Sequence, residues 1–156
     1  MLSANEVEML LSELCETQGF CLSAEARERL SAGPPQPPIE FAEAVLRAEG
    51  LDPTTTDRQL LRSVAAFVTA WYERRLGVLV DKAFGEVSHL RAAHAGGSVE
   101  TLTRQVDQLQ DDLIAIQRGS AQPRLGMVRW LTDWIPDLNH PLVTTIAAIE
   151  RLAPPA

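Results

Sequence analysis

Apolar residues recur every three or four positions over most of this chain, which is the spacing of one face of an α-helix. The pattern predicts a first helix over residues 5–17. Ser3 and Glu6 form a capping box at its start, and Gly19 ends it. Its apolar stripe consists of Val7, Leu10, Leu11 and Leu14.

Two shorter helices are predicted next, over residues 24–31 and 38–49. Ser23 is a suitable N-cap for the first of them, and Gly50 followed by Leu51 is typical of a Schellman ending for the second. The proline run at 33–38 between them indicates a stiff connector. A docking ligand for an aromatic groove is the alternative interpretation of this run.

The longest predicted helix opens at a second capping box, Thr56 with Gln59, and continues to about residue 94. Gly77 lies inside it and costs about 1 kcal/mol relative to alanine, so a break there is the main alternative. Gly96 and Gly97 end this helix, and Ser98 caps the next one. Because the connection is so short, the two helices are expected to fold back as an antiparallel hairpin.

The second helix of this hairpin, over residues 98–118, carries a heptad seam. Six apolar residues follow one another at spacings of 3, 4, 3, 4 and 3. Such a stripe will be buried, against the preceding helix, the same helix of a second subunit, or a different protein. We predict that it is an interaction face composed of Val99, Leu102, Val106, Leu109, Leu113 and Ile116.

The chain beyond Arg118 is a linker followed by an apolar C-terminal segment with two predicted helices. The first covers residues 124–135, and the second begins near Pro141. This segment holds two of the three tryptophans, Trp130 and Trp134. Tryptophan is enriched at binding hot spots, so we predict that both contact a partner or a second copy. Packing on the hairpin as ordinary core is the alternative.

These elements together predict an all-α protein. A small acidic N-terminal helical module (1–53) is followed by the long hairpin, which could be coiled-coil-like (54–118). An apolar C-terminal segment of two short helices (119–156) completes the chain. A length of 156 residues suits about one domain with an appendage.

The net charge of −7 is concentrated in the first third of the chain. Residues 1–52 contain ten acids and three arginines, whereas residues 53–156 contain eleven of each sign. An acidic face repels phosphate, so nucleic acid is not expected as a partner, and a basic protein surface would be attracted instead. A solvated acidic exterior with no binding role is the alternative. No apolar run is long enough to cross a bilayer, and acids occupy the N-terminus. We therefore expect a cytoplasmic protein with no membrane partner.

Candidate chemistry is sparse. Cys15 and Cys21 fit neither a zinc knuckle nor a redox pair, and they are expected to be free, buried side chains. Glu86 and His89 make a Glu-x-x-His pair, which builds a carboxylate-bridged metal site only when it is repeated, as a homodimer could repeat it. We expect these two on a solvated face instead. No phosphate loop or nucleophile motif occurs, and we predict no cofactor, no metal and no enzymatic activity.

The leading functional hypothesis is a non-enzymatic helical adaptor or assembly subunit. It would self-associate or bind another protein through the hairpin and the Trp-rich C-terminus, with the acidic module as a second contact face. A helical regulator is the first alternative, and it predicts a ligand cavity lined by Trp71, Trp130 or Trp134. An enzyme dependent on a metal or on Cys15 is the second alternative.

Overall fold

The fold was obtained as a computed structural model that describes residues 2–93 and 100–153, with the backbone alone for residues 100–102. This part of the chain contains no strand, and it forms seven helices. They are α1 (Ala4–Gln18), α2 (Ala24–Ala32), α3 (Pro38–Ala48), α4 (Arg58–Ala93), α5 (Glu100–Gln117), α6 (Met127–Thr132) and α7 (Pro141–Arg151). The predicted all-α fold is confirmed, including the long helix and the two short C-terminal helices.

The contacts divide the chain into two compact units, Met1–Arg74 and Arg75–Pro154. Unit 1 holds α1 to α3 with the first part of α4, and unit 2 holds the rest of α4 with α5 to α7. The largest fully buried side chains of unit 1 are Leu10, Leu11, Leu14, Phe41 and Leu46. The three segments predicted from the sequence (1–53, 54–118 and 119–156) were divided according to the lengths and types of their helices. That they act as separate functional modules stays a prediction.

The helix-end features that the sequence predicts for α1 and α3 are present in the structure. The Ser3 hydroxyl accepts the Glu6 amide at 3.3 Å and donates to Glu6 Oε1 at 2.9 Å, which is the predicted capping box. Gly19 ends α1 at φ 77°, and Gly50 follows α3 at φ 79°. The Leu51 amide donates to the Leu46 carbonyl at 2.9 Å, so the predicted Schellman ending is present.

The long helix α4 is continuous through Gly77, so the predicted long helix is confirmed and the alternative of a break there does not occur. Its cap differs from the prediction. The Asp57 carboxylate accepts the Gln59 amide at 3.0 Å, whereas the Thr56 hydroxyl donates to the Asp52 carbonyl at 2.6 Å. The Thr56 hydroxyl is therefore bonded within the turn after α3, and Asp57, one residue later, is the N-cap of α4.

The second part of α4 and α5 form the predicted antiparallel hairpin within unit 2. Arg91 donates to Asp107 and, at 2.7 Å, to Gln110, while Gln117 donates to Asp81 at 3.4 Å. Residue numbers rise along one helix as they fall along the other, which defines the antiparallel direction. The predicted connection at Gly96, Gly97 and Ser98 lies outside the described residues.

The two cysteines are not free as predicted, because Cys15 and Cys21 form a disulfide with a Cα–Cα distance of 4.4 Å. The bond joins the last turn of α1 to the residues that precede α2. Cys15 is half-buried and Cys21 is exposed. Their pairing depends on the turn at Gly19, which brings the chain back on itself, and spacing alone gave no indication of it.

Candidate functional site

The seam helix α5 is covered by the chain's own residues where its side chains are described. Four of the predicted interaction residues are nearly inaccessible: Val106 at 3%, Leu109 and Leu113 at 0%, and Ile116 at 6% exposure. They belong to one cluster with residues of α4, α6 and α7. Val99 and the side chain of Leu102 lie outside the described residues. A role for this seam in binding a partner stays a prediction.

The two predicted C-terminal tryptophans lie together. Their rings pack edge to face, with 5.5 Å between the centroids of Trp130 and Trp134 and 72° between the planes. Both side chains are half-buried and contact the unit 2 core. The Trp134 Nε1 atom is inaccessible and has no hydrogen-bond partner among the described residues. Each tryptophan therefore combines a core contact with a partly exposed surface.

Glu150 on α7 fixes the orientation of the tryptophan-bearing helix α6. Its carboxylate accepts the backbone amide of Gly126 at 2.7 Å and that of Val128 at 3.0 Å. These amides lie at the start of α6, where the first N–H groups of a helix lack internal partners and the helix dipole favours a negative charge. A residue from a different helix thus supplies the cap, and α6 is held against α7.

Two exposed leucines lie in the connections beside this helix, and the sequence interpretation missed them. Leu125 precedes α6 and is 68% exposed, whereas Leu138 follows it and is 67% exposed. Neither belongs to an apolar stripe, so periodicity gave no reason to single them out. Their neighbours Gly126 and Pro136 mark turns, which expose side chains. We define Leu125, Trp130, Trp134 and Leu138 as the C-terminal surface.

The acidic N-terminal module is tied together by Arg27 of α2. Its Nη2 atom donates to Glu8 Oε2 and to Ser12 Oγ on α1, both at 2.8 Å. A second ion pair joins Arg74 of α4 to Glu13 of α1 at 3.1 Å. These ion pairs link α1 to α2 and to α4, and they neutralise part of the negative charge of unit 1.

A shallow cleft of about 350 Å³ lies between α1 and α2. It is open to solvent, and none of the three tryptophans lines it. Its walls are Ala4, Asn5, Glu8, Ala24, Arg27, Glu28 and Ser31. This cleft differs from the tryptophan-lined cavity that a ligand-binding regulator predicts.

Glu6 and the Tyr72 hydroxyl are buried polar groups of unit 1 that the sequence did not indicate. Glu6 is only 3% exposed although it lies in the first turn of α1. The Tyr72 hydroxyl is inaccessible and has no hydrogen-bond partner among the described residues. Burial, together with the Glu6 carboxylate, raises the pKa of Tyr72 from 10.0 to about 12.

Asp52 is a second residue of unit 1 whose pKa is shifted. The Thr54 hydroxyl and amide donate to its carboxylate at 2.7 and 2.9 Å, and these bonds lower the pKa of Asp52. Arg47 adds a smaller effect in the same direction. Since the group is fully exposed, the arrangement is a turn-forming contact between α3 and α4.

The Glu-x-x-His pair lies on α4, with Glu86 half-buried and His89 exposed. In residues 2–93 and 103–153, no three or more His, Cys, Asp or Glu side chains come together as metal ligands would.

Across the helices that the structure describes, none combines the length and the apolar character needed to cross a membrane. Comparison with family models, with curated proteins and with solved structures finds no match to this chain.

Proposed function

We propose that this protein is a non-enzymatic helical adaptor or assembly subunit that associates with a second copy or with another protein through the C-terminal surface. The observation that carries the proposal is the exposure of Leu125 and Leu138 in a segment whose other large described apolar residues are buried or half-buried. Large apolar side chains at interfaces supply the hydrophobic part of binding, and tryptophans beside them supply contact area.

The anchoring of α6 supports this proposal. Because the Glu150 carboxylate holds the start of the helix, the two tryptophans occupy fixed positions before any partner binds. A pre-ordered surface loses little conformational entropy on association, which favours affinity. The seam of α5 contributes indirectly, since its buried residues support the core on which both tryptophans pack.

The charge distribution supports a protein partner rather than nucleic acid. The N-terminal third carries the whole net charge of −7, and such a segment attracts basic protein surfaces while it repels phosphate. We propose that the acidic module is a second contact face in a cytoplasmic assembly. Cell fractionation with an antibody against the native chain tests the location.

The test of association is light scattering coupled to size exclusion over a range of concentrations. We expect the wild-type chain to form an oligomer whose population rises with concentration. The double variant Leu125→Ser, Leu138→Ser removes apolar area from the C-terminal surface, so we expect association to weaken by roughly tenfold or more. Circular dichroism checks that the helices remain.

Val78→Ser is the matched control, because Val78 is also exposed in unit 2, at 59%, and lies outside the C-terminal surface. It should leave association unchanged. Crosslinking in native lysate provides the second measurement, in which the leucine double variant should lose partner bands that wild type and Val78→Ser retain. A chain that is monomeric at every concentration, with equal crosslinking of all three proteins, would refute the proposal.

A further inference from the structure

We propose that Cys15 and Cys21 form a reversible, redox-sensitive clamp at the junction between α1 and α2. The proposal is independent of the C-terminal surface and concerns unit 1 alone, and it rests on the proposed function only for the cytoplasmic location. It rests on three observations: the bond between the two sulfurs, the unequal exposure of the two cysteines, and the contacts that hold the junction without the bond.

The disulfide closes a short loop around the turn that ends α1. Within this loop the Gly19 amide donates to the Cys15 carbonyl at 3.1 Å, and Leu22, the residue directly after the loop, is buried at 9% exposure. The Ser63 hydroxyl on α4 donates to the side chain of Gln18 in this loop at 3.2 Å, and beyond the loop Arg27 joins α2 to α1. The helices therefore keep several non-covalent contacts when the bond opens, and only the junction loosens.

The two sulfurs have different roles because they differ in accessibility. Cys21 is exposed, so an incoming thiolate reaches its Sγ atom, whereas Cys15 is half-buried. Attack on Cys21 breaks the bond, forms a mixed disulfide between the small thiol and Cys21, and releases Cys15 as a thiolate. A second small thiol then attacks the mixed disulfide, leaves with the first as an oxidised small-molecule disulfide, and releases Cys21.

Opening the bond thus transfers two electrons from two small thiols to the protein, and the reverse steps return them and restore the clamp. In the return direction Cys15 is the resolving residue, because its thiolate displaces the small thiol from Cys21. Disulfides in cytosolic proteins are usually transient or redox-sensing. In the cytoplasmic location proposed for this chain, the dithiol is the resting form, and oxidation is the event that closes the clamp.

The structural test compares hydrogen exchange of the full-length chain, oxidised with glutathione disulfide or reduced with a phosphine, peptide by peptide. Local openings set exchange rates, so we expect amides in residues 16–23 to exchange at least about tenfold faster in the reduced chain. Peptides from unit 2 should not change. The double variant Cys15→Ser, Cys21→Ser should match the reduced chain and be insensitive to the reductant.

The chemical test uses the two single variants as matched controls. In Cys15→Ser, glutathione disulfide should modify Cys21 rapidly, and the mixed disulfide should accumulate because no resolving thiol remains. In Cys21→Ser, modification of Cys15 should be at least about tenfold slower, since access limits thiol reactivity. Mass spectrometry of intact chains follows both reactions.

Three outcomes overturn the proposal. The first is a wild-type chain that keeps two free thiols in excess glutathione disulfide. The second is oxidation that links two chains instead of closing the bond within one chain. The third is exchange in residues 16–23 that is the same with and without the bond, which would show that the disulfide constrains nothing.

Discussion

Tyr72 shows how a single buried hydroxyl couples the stability of unit 1 to pH. Its hydroxyl has no partner among the described residues, and burial with the Glu6 carboxylate raises the pKa of Tyr72 to about 12. The folded state therefore favours the neutral phenol. This contribution to stability is complete below pH 10, the ordinary value, and is lost as the pH rises from 10 towards 12.

We expect Tyr72→Phe to remove that part of the pH dependence. At neutral pH the variant should be as stable as wild type, or more stable by up to about 1 kcal/mol, because it removes an unsatisfied buried hydroxyl. The difference in free energy of unfolding between variant and wild type should grow above pH 10. Urea denaturation at pH 7 and at several values above 10 measures it, and a constant difference would contradict the expectation.

Gly77 and Gly50 make a matched pair for backbone effects. A Cβ atom added at either position meets nothing within 4 Å, but Gly77 lies in a helix and Gly50 has φ +79°. Gly77→Ala should raise the free energy of unfolding by about 0.5–1 kcal/mol. Gly50→Ala should lower it by about 1–2 kcal/mol, since the left-handed conformation strains an L-residue. Denaturation of both variants tests the opposite signs.

At this scale the sequence predicted several local features, although it placed the N-cap of α4 at Thr56 instead of Asp57. The capping box at Ser3 and the Schellman ending at Gly50 depend on helix-end residues within five positions of one another, and both were predicted. The burial of Glu6 depends on what packs over α1, and the pairing of Cys15 with Cys21 depends on a folded turn. Neither was predicted, because composition and spacing do not contain these contacts.

Among the helices, the capping of α6 by a residue of α7 is the contact that most affects the candidate surface. Removing the Glu150 charge weakens two backbone hydrogen bonds, and each bond to a charged group contributes about 1.5–3 kcal/mol. We expect Glu150→Gln to lower the free energy of unfolding by about 1–2 kcal/mol and Glu150→Ala by more.

Because α6 carries both tryptophans, loss of the Glu150 contact should also change the near-ultraviolet circular dichroism of the ring pair. Asp111→Asn is the control, since Asp111 is an exposed acid in the same unit. It should change neither the free energy of unfolding nor the spectrum. Equal effects of the Glu150 and Asp111 substitutions would show that the cap is not what holds α6.

The periodicity of apolar residues predicted which stretches are helical, but it predicted the first and last residues of those helices only in part. The predicted first C-terminal helix covered residues 124–135, but α6 is Met127–Thr132. Apolar residues cover most of the circumference of that stretch, so the pattern gave no sharp boundary. The position of α6 is set by Glu150, which is more than twenty residues away along the chain.

For the whole molecule, the boundary between units was the feature that periodicity concealed. The apolar spacing runs without interruption along α4, and the helix itself is continuous, yet its two parts belong to different units. A break in contacts need not coincide with a break in secondary structure. Of the four residues of the C-terminal surface, the sequence singled out only the two tryptophans, because they follow a helical pattern whereas the exposed leucines lie in turns.

The placement of the three tryptophans has a practical consequence for spectroscopy. Trp71 is the one indole of unit 1, while Trp130 and Trp134 both lie in unit 2. Replacing Trp71 by phenylalanine leaves emission from unit 2 alone, and replacing the other two leaves emission from unit 1 alone. The two kinds of variant therefore provide a separate intrinsic fluorescent reporter for each unit, and each can be followed during refolding without an added dye.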